Sequence, residues 1–493
     1  LTRASSHGPG FKVDANSVEI VREPSEFFNS LVERIKSAKT RIMLSSLYIG
    51  AEPKAMELLN TLDEALATNP TLEVTIVLDC LRGSRNTASP TTTDFMPRPG
   101  SPHEGTLSSV SILYPLELKY PDRFKAYYYH TPKLHGVLKA LLPERYNELI
   151  GVQHTKCYMV DDDVLISGAN LSEQYFTNRQ DRYVWIRNNR ALASFYQNLL
   201  QTICSFSFAI HPTTGQLIYP EDLPNPTSDP KPFNELARNR LEALLQPRID
   251  VSMSGASSSA PEALDGPSLL KSHDTWVFPT IQLGHANVTH DEALTEYILA
   301  HQPSEVEFPG YTTYMTSPYF NIADRYASAM TKSVGKPFRL IVASPKANGF
   351  FNGSGVSGMV PWAYDTVLKD WIEALPQDSN IHVHEYVRDG WTFHAKGIWI
   401  EMNQNIAASS SSSAQRPPAA DLSRVASSSS SPSSSATPVP AATAQPGSTR
   451  RASLTIVGSS NFGVRSMKRD LESQLAIFTT NEDLARRLQE ERE

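Results

Sequence analysis

Two stretches of the chain carry the same chemical pattern. In the first, His154, Lys156 and Asp161 follow the spacing H-x-K-x-x-x-x-D, then come Ser167-Gly168-Ala169-Asn170 and an acid at Asp181. In the second, His394, Lys396 and Glu401 are followed by Gly458-Ser459-Ser460-Asn461 and by Glu472. The step from Asn to the final acid is 11 positions in both copies, whereas the step from His to Asn is 16 in the first and 67 in the second. One such motif is weak evidence, but two with matching tails point to an internal duplication. The chain should therefore be a pseudo-twofold pair of like units, and any site the motifs build should belong to both.

The surplus of roughly 51 residues in the second copy lies between Glu401 and Leu454, a run of Ser, Ala and Pro with almost no large apolar residue. Such a segment cannot bury enough surface to offset its ordering entropy. The insertion, residues 403–452, is expected to be disordered and to leave and re-enter between adjacent strands.

Around the motifs, apolar periodicity predicts alternating helices and strands, the mark of an α/β layered fold. Pro24-Ser25-Glu26 opens a helix with Phe27, Phe28, Leu31, Ile35 and Ala38 on one face. A buried strand is expected over 42–49, a helix over 53–67 and a strand over 74–78 ending in a polar turn. A further strand is expected over 110–114. Next comes a segment, 127–147, whose His130, Lys133, His135 and Lys139 could form a basic face or a plain solvated surface. Two motif strands, a third over 182–187 and a helix over 191–203 close the first half. The second half predicts a helix over 291–300, strands over 311–319, 338–343, 381–386 and 474–478, and a last helix capped by Asn481. Ser46-Leu47-Tyr48 corresponds to Ser317-Pro318-Tyr319, and 79–85 to 344–350. The division is a first domain over 1–211, a linker with one helix over 212–275, and a second domain over 276–493.

Composition narrows the function. A formal charge of −7 argues against a general nucleic-acid binder. No apolar run is long enough to span a bilayer. The cysteines, Cys80, Cys157 and Cys204, are too few and scattered for a disulfide framework or a zinc site.

His and Lys at i and i+2 of a β-strand project to one face, and both motif pairs are expected on strands. Two such segments facing each other would gather two imidazoles and two ammoniums around one site. That suits a phosphodiester: one neutral His attacks phosphorus, the other, protonated, donates to the leaving oxygen, and Lys156, Lys396, Asn170 and Asn461 hold the phosphate oxygens. Asp181 and Glu472 could each orient a histidine and fix its tautomer. The lysines supply the positive charge, so the chemistry requires no metal, which leaves room for modulation by a divalent cation. The bland alternative is two symmetric buried His–acid pairs. The loop 349–358 lacks the Lys-Ser/Thr ending of a phosphate loop and is expected near the mouth of the site.

With both motifs in place the chain resembles the phospholipase D superfamily. Within it, PTIQLG (279–284), YHTPKLHGVLK (129–139), PERYNELIGVQHTK (143–156), SGANLSEQYFTNRQDRY (167–183) and HAKGIW (394–399) are similar to the eukaryotic mitochondrial phosphatidylglycerophosphate synthases. The resemblance implies two phospholipase D-like α/β/α domains with the active site at their interface. It implies transfer of a phosphatidyl group from CDP-diacylglycerol to sn-glycerol 3-phosphate, at the mitochondrial inner membrane, by a peripherally attached enzyme. It assigns catalytic roles to His154, Lys156, Asp161, His394, Lys396 and Glu401, and makes His154 the nucleophile, as the amino-terminal histidine commonly is. Glu401 departs from the superfamily's Asp. Other uses of the same residues are a phosphodiesterase or nuclease with water as acceptor, and a lipid-binding scaffold without catalysis.

Overall fold

The computed structural model describes residues 8–87, 100–134, 150–247, 274–301, 311–332, 336–353, 355–403 and 450–493, with a few isolated positions besides. His135, Lys139 and nearly all of the 403–452 insertion lie outside the described residues. The strands flanking that insertion pair antiparallel with Asn403 opposite Arg450, so its two ends meet at one point of the sheet.

Two sheets repeat one topology. In the first, Phe124–Tyr129, Glu73–Asp79 and Arg41–Ser45 run parallel, and Cys157–Val160, Asp163–Ser167, Tyr183–Ile186 and Val18–Val21 continue antiparallel. In the second, Ile381–Tyr386, Phe338–Ala343 and Thr312–Ser317 run parallel, then Gly397–Asn403, Arg450–Gly458, Leu471–Thr479 and Thr275–Leu283 follow antiparallel. Parallel neighbours need a crossover, supplied in the first half by the helix Pro53–Thr68 and in the second by Asp324–Thr331. Of the antiparallel neighbours carrying the motif, Cys157–Val160 and Asp163–Ser167 are joined by a two-residue turn, whereas their counterparts Gly397–Asn403 and Arg450–Gly458 flank the insertion.

The sheets pack face to face through one apolar layer. Met43, Met159, Ile166 and Val184 of the first sheet share it with Val277, Ile281, Val457, Leu475 and Ile477 of the second. Helices Arg190–Cys204, Pro230–Leu244 and Glu482–Arg492 bury their apolar faces in that layer. Outer helices cover the other faces, including Pro24–Ser37 on the first sheet and His290–Ala300 on the second. The chain also interlocks: strand Gly10–Lys12 belongs to the second sheet, pairing with Thr275–Leu283.

Three expectations change. The stretch 110–114 is not a strand but part of the helix Ser109–Lys119, opened by a Ser108–Ser111 capping box. Its residues 109–114 are all buried, so no polar stripe marked a helical period. The strand expected over 42–49 stops at Ser45. No strand is expected between the linker's end at Thr275 and the helix over 291–300, yet Thr275–Leu283 is an interior strand buried at every position, which removes the alternation that would reveal it.

Candidate active site

Each histidine is placed by the opposite half of the molecule. His154 N donates to Leu471 O at 2.8 Å, and Leu471 N to Val152 O at 2.9 Å. His394 N donates to Gln180 O at 2.7 Å, and Thr392 N to Asn178 O at 3.0 Å. Leu471 immediately precedes Glu472, and Gln180 precedes Asp181. Backbone pairing therefore delivers each acid to the other copy's ring: His154 Nδ1 lies 2.9 Å from Glu472 Oε2, and His394 Nδ1 lies 2.6 Å from Asp181 Oδ2.

The His-x-Lys segments are extended but stand just ahead of the strands Cys157–Val160 and Gly397–Asn403 rather than on them. Spacing i and i+2 still brings each ammonium back to its own histidine. Lys156 Nζ donates to His154 O at 2.7 Å. Lys396 Nζ bonds His394 O, lies 2.5 and 3.1 Å from the ring nitrogens of His394, and stands 3.6 Å from Asp181 Oδ2. His154, Lys156, Asp181, His394, Lys396 and Glu472 are all buried.

Burial sets the protonation states. It holds both rings well below the ordinary histidine range, His154 with help from Lys156 and His394 with help from Lys396 and Arg179. Burial raises Asp181 to about 6 against the pull of Lys396, and lowers Lys396 to about 8 against the pull of Asp181 and Glu472. At neutral pH the rings are neutral and Asp181 is ionised. A neutral ring whose Nδ1–H donates to a carboxylate presents the lone pair of Nε2 to the site.

The two ends differ in detail. His394 Nε2 meets the Tyr175 hydroxyl at 3.3 Å, and Asn170 Nδ2 donates to the same oxygen at 3.1 Å. No partner of His154 Nε2 stands among the described residues. Asn461 Oδ1 is buried and also has no hydrogen-bond partner among them. Asp470 lies beside His154: the ligating atoms of His154, Asp470 and Glu472 fall within 4.8 Å of one another. Gly168 makes room at the other end, since a Cβ there would stand 2.6 Å from Asp181 Oδ1 and 3.0 Å from Lys396 Cδ.

Asp161 and Glu401, expected as catalytic, are elsewhere. Asp161 holds the turn at the far end of its strand, at φ +52°, accepting from the amides of Lys39, Thr40 and Arg41 and the Thr40 hydroxyl at 2.7–3.2 Å. Glu401 pairs with Arg492 of the last helix at 2.6 Å. Five residues past Lys in a strand's direction is a strand's length away, so the acids of the H-x-K-x-x-x-x-[DE] pattern tie the framework together instead. His130 and Lys133 sit in a turn after Phe124–Tyr129, where His130 is buried with Nδ1 2.8 Å from Thr131 O. The loop after Phe338–Ala343 does reach the site, Gly349 facing Arg179 and Tyr319. Sequence reasoning missed Tyr175, Arg179, Tyr319 and Asp470. Arg179 and Asp470 each stand two positions before a site acid, a spacing that puts them on the same side of extended backbone and could have found them.

A family model described as "Cardiolipin synthase, PLD-like domain" matches residues 31–203. A Dictyostelium discoideum protein named "Probable CDP-diacylglycerol--glycerol-3-phosphate 3-phosphatidyltransferase" is 35% identical over 99% of this chain and 74% of its own length. The chain belongs to the CDP-diacylglycerol–glycerol-3-phosphate 3-phosphatidyltransferase family. Members from Gallus gallus and Homo sapiens, both named mitochondrial, are 32% and 31% identical over 98% of this chain and 78% of theirs. The crystal structure of phosphatidylserine synthase from Haemophilus influenzae shares the fold, with a TM-score of 0.65 at 17% identity, covering 99% of this chain and 88% of that one. The paired sheets and outer helices described above are thus the phospholipase D-like architecture of this phosphatidyltransferase family.

Proposed function

We propose that this phosphatidyltransferase moves the phosphatidyl group of CDP-diacylglycerol to sn-glycerol 3-phosphate, releasing CMP and forming phosphatidylglycerophosphate, the committed step toward phosphatidylglycerol and cardiolipin. The observation that carries the reading is the pair of crossed His–acid contacts, each with a buried lysine, at one interface.

His154 is the nucleophile. Its Nε2 attacks the phosphorus bearing the diacylglycerol, and the bond to the CMP oxygen breaks. His394 gives that oxygen a proton and then takes one from the acceptor hydroxyl, which attacks phosphorus and releases His154. The contact between His394 Nε2 and Tyr175 leaves His154 as the ring with its nitrogen uncommitted, which supports this order. Burial, and after it the charges of Lys396 and Arg179, depress His394; the anionic donor offsets the charge part, so the ring's affinity for a proton rises as the diphosphate binds. Lys156, Lys396, Asn170 and Asn461 hold the phosphate oxygens, and Glu472 and Asp181 orient the rings. The two lysines supply the charge stabilisation the transfer needs, so no metal is required and a divalent cation would only modulate the rate.

The enzyme acts from the surface of the mitochondrial inner membrane. The relatives are named mitochondrial. Among the described residues no helix is long and apolar enough to cross a bilayer. Exposed Met359 and Trp362 lie at the start of the helix Val360–Glu373, whose Tyr364 packs on Tyr319 beside His394, which would bring lipid to the site. Alkaline carbonate should strip the protein from membranes; retention would contradict peripheral attachment.

Incubation with labelled CDP-diacylglycerol, with and without glycerol 3-phosphate, tests the reaction. Labelled phosphatidylglycerophosphate appearing only with the acceptor is the expected result. Phosphatidic acid formed equally in both arms would assign water as the acceptor.

A further inference from the structure

The pseudo-twofold breaks at one pair of positions in the site. Arg179 stands two residues before Asp181, and its counterpart before Glu472 is Asp470. Asp470 has its charge matched, since it accepts from Val152 N at 3.0 Å and pairs with Arg465 at 2.9 Å. Arg179 does not.

Its Nε donates to Thr392 Oγ1 at 3.0 Å, its Nη2 to Gln174 Oε1, and its guanidinium lies 4.7 Å over the Tyr175 ring. Among the described residues no carboxylate forms an ion pair with it, and Asp181 is engaged by His394 and Lys396. The groups around it are instead Tyr175, Tyr319 and Tyr48. Gly349 brings bare backbone against it, since a Cβ there would stand 3.1 Å from Nη2 and 3.2 Å from the Tyr319 hydroxyl. Holding a partly buried guanidinium without a counter-charge is costly. The cost is recovered when a ligand supplies the anion, and a planar guanidinium with donors to spare suits a phosphate.

We propose that Arg179, flanked by Tyr175 and Tyr319, forms a phosphomonoester subsite on the His394 side and receives the phosphate of the acceptor. This deepens the proposed transfer reaction and rests on it. In a two-step displacement CMP leaves and the acceptor enters on the side away from the nucleophile, so both bring a phosphomonoester to this end. Position separates them. Arg179 pairs with Thr392, two places before His394, about 6–7 Å along the ladder. The CMP phosphate is bonded directly to the oxygen that His394 serves, whereas the acceptor's phosphate is separated from its attacking hydroxyl by the glycerol carbons. The offset matches the acceptor. Arg179 is thus the residue that distinguishes glycerol 3-phosphate from glycerol or water.

The test compares glycerol 3-phosphate with glycerol as acceptors for CDP-diacylglycerol, and follows CMP release without acceptor, in the full-length protein. In Arg179→Gln the preference for glycerol 3-phosphate over glycerol should fall about 10- to 100-fold, mainly through KM for the acceptor, with partial recovery in Arg179→Lys. Gly349→Ala, which crowds the guanidinium without removing its charge, should lower the same ratio, so the test survives if the first variant folds poorly. An unchanged ratio would overturn the proposal. So would acceptor-free CMP release falling as far as transfer does, which would give the guanidinium to the cytidine phosphate. Absence of transfer by the unaltered protein would instead refute the underlying reaction.

Discussion

At the scale of single residues, burial does most of the chemical tuning. It makes both histidines neutral, lifts Asp181 to about 6 and brings Lys396 down to about 8. A sign follows for each limb of the pH profile. Below about 6 Asp181 takes a proton and no longer accepts from His394 Nδ1, so kcat/KM should rise as pH climbs through that value. Above about 8 Lys396 loses its charge and its hold on the phosphate, so kcat/KM should fall. Lys396→Arg, at whatever reduced rate it works, should lack the alkaline fall because a guanidinium does not deprotonate there. A profile of the unaltered enzyme that stays flat from pH 5 to 9 would contradict this reading. The two rings, two lysines and both orienting acids were legible in the sequence because functional groups recur at fixed spacing. Which acid serves which ring was not, because the crossing is made by backbone pairing between residues more than 200 positions apart. Arg179 was missed for a related reason: its lack of a counter-charge is a property of the packed site.

At the scale of elements, the motif's own acids turned out to be framework. Asp161 holds a turn through four hydrogen bonds, and they keep its carboxyl below the ordinary range although burial pulls the other way. A depressed pKa means that this stabilisation is present at neutral pH and disappears as the carboxyl protonates in acid. Asp161→Ala should therefore cost about 2 kcal/mol at neutral pH, read from denaturant unfolding, with kcat per folded molecule largely kept. Asp161→Asn should cost less, because Asn tolerates positive φ and keeps one acceptor. A hundredfold loss of kcat with unchanged stability would return Asp161 to the chemistry. The strand–helix error over 110–114 has the same origin as the missed strand Thr275–Leu283: a stretch buried at every position loses the periodicity by which sequence reveals it.

At the scale of the molecule, duplication explains both the fold and its division of labour. Seven strands correspond one to one, yet neither half holds a complete site, since His154 needs Glu472 and His394 needs Asp181. The halves are further joined by the shared apolar layer, by the strand Gly10–Lys12 in the second sheet, and by the buried Arg182–Glu491 pair at 2.8 Å. Symmetry leaves two candidates for the covalent step, and the proposed assignment to His154 rests on the differing surroundings of the two Nε2 atoms. The most direct measurement is to trap that step. A His394→Ala variant, given labelled CDP-diacylglycerol with no acceptor, quenched under alkaline conditions and digested, should carry labelled phosphatidyl on the peptide containing His154, while His154→Ala should carry none. Label on His394 in the His154→Ala variant, with none on His154 in the other, would contradict the assignment.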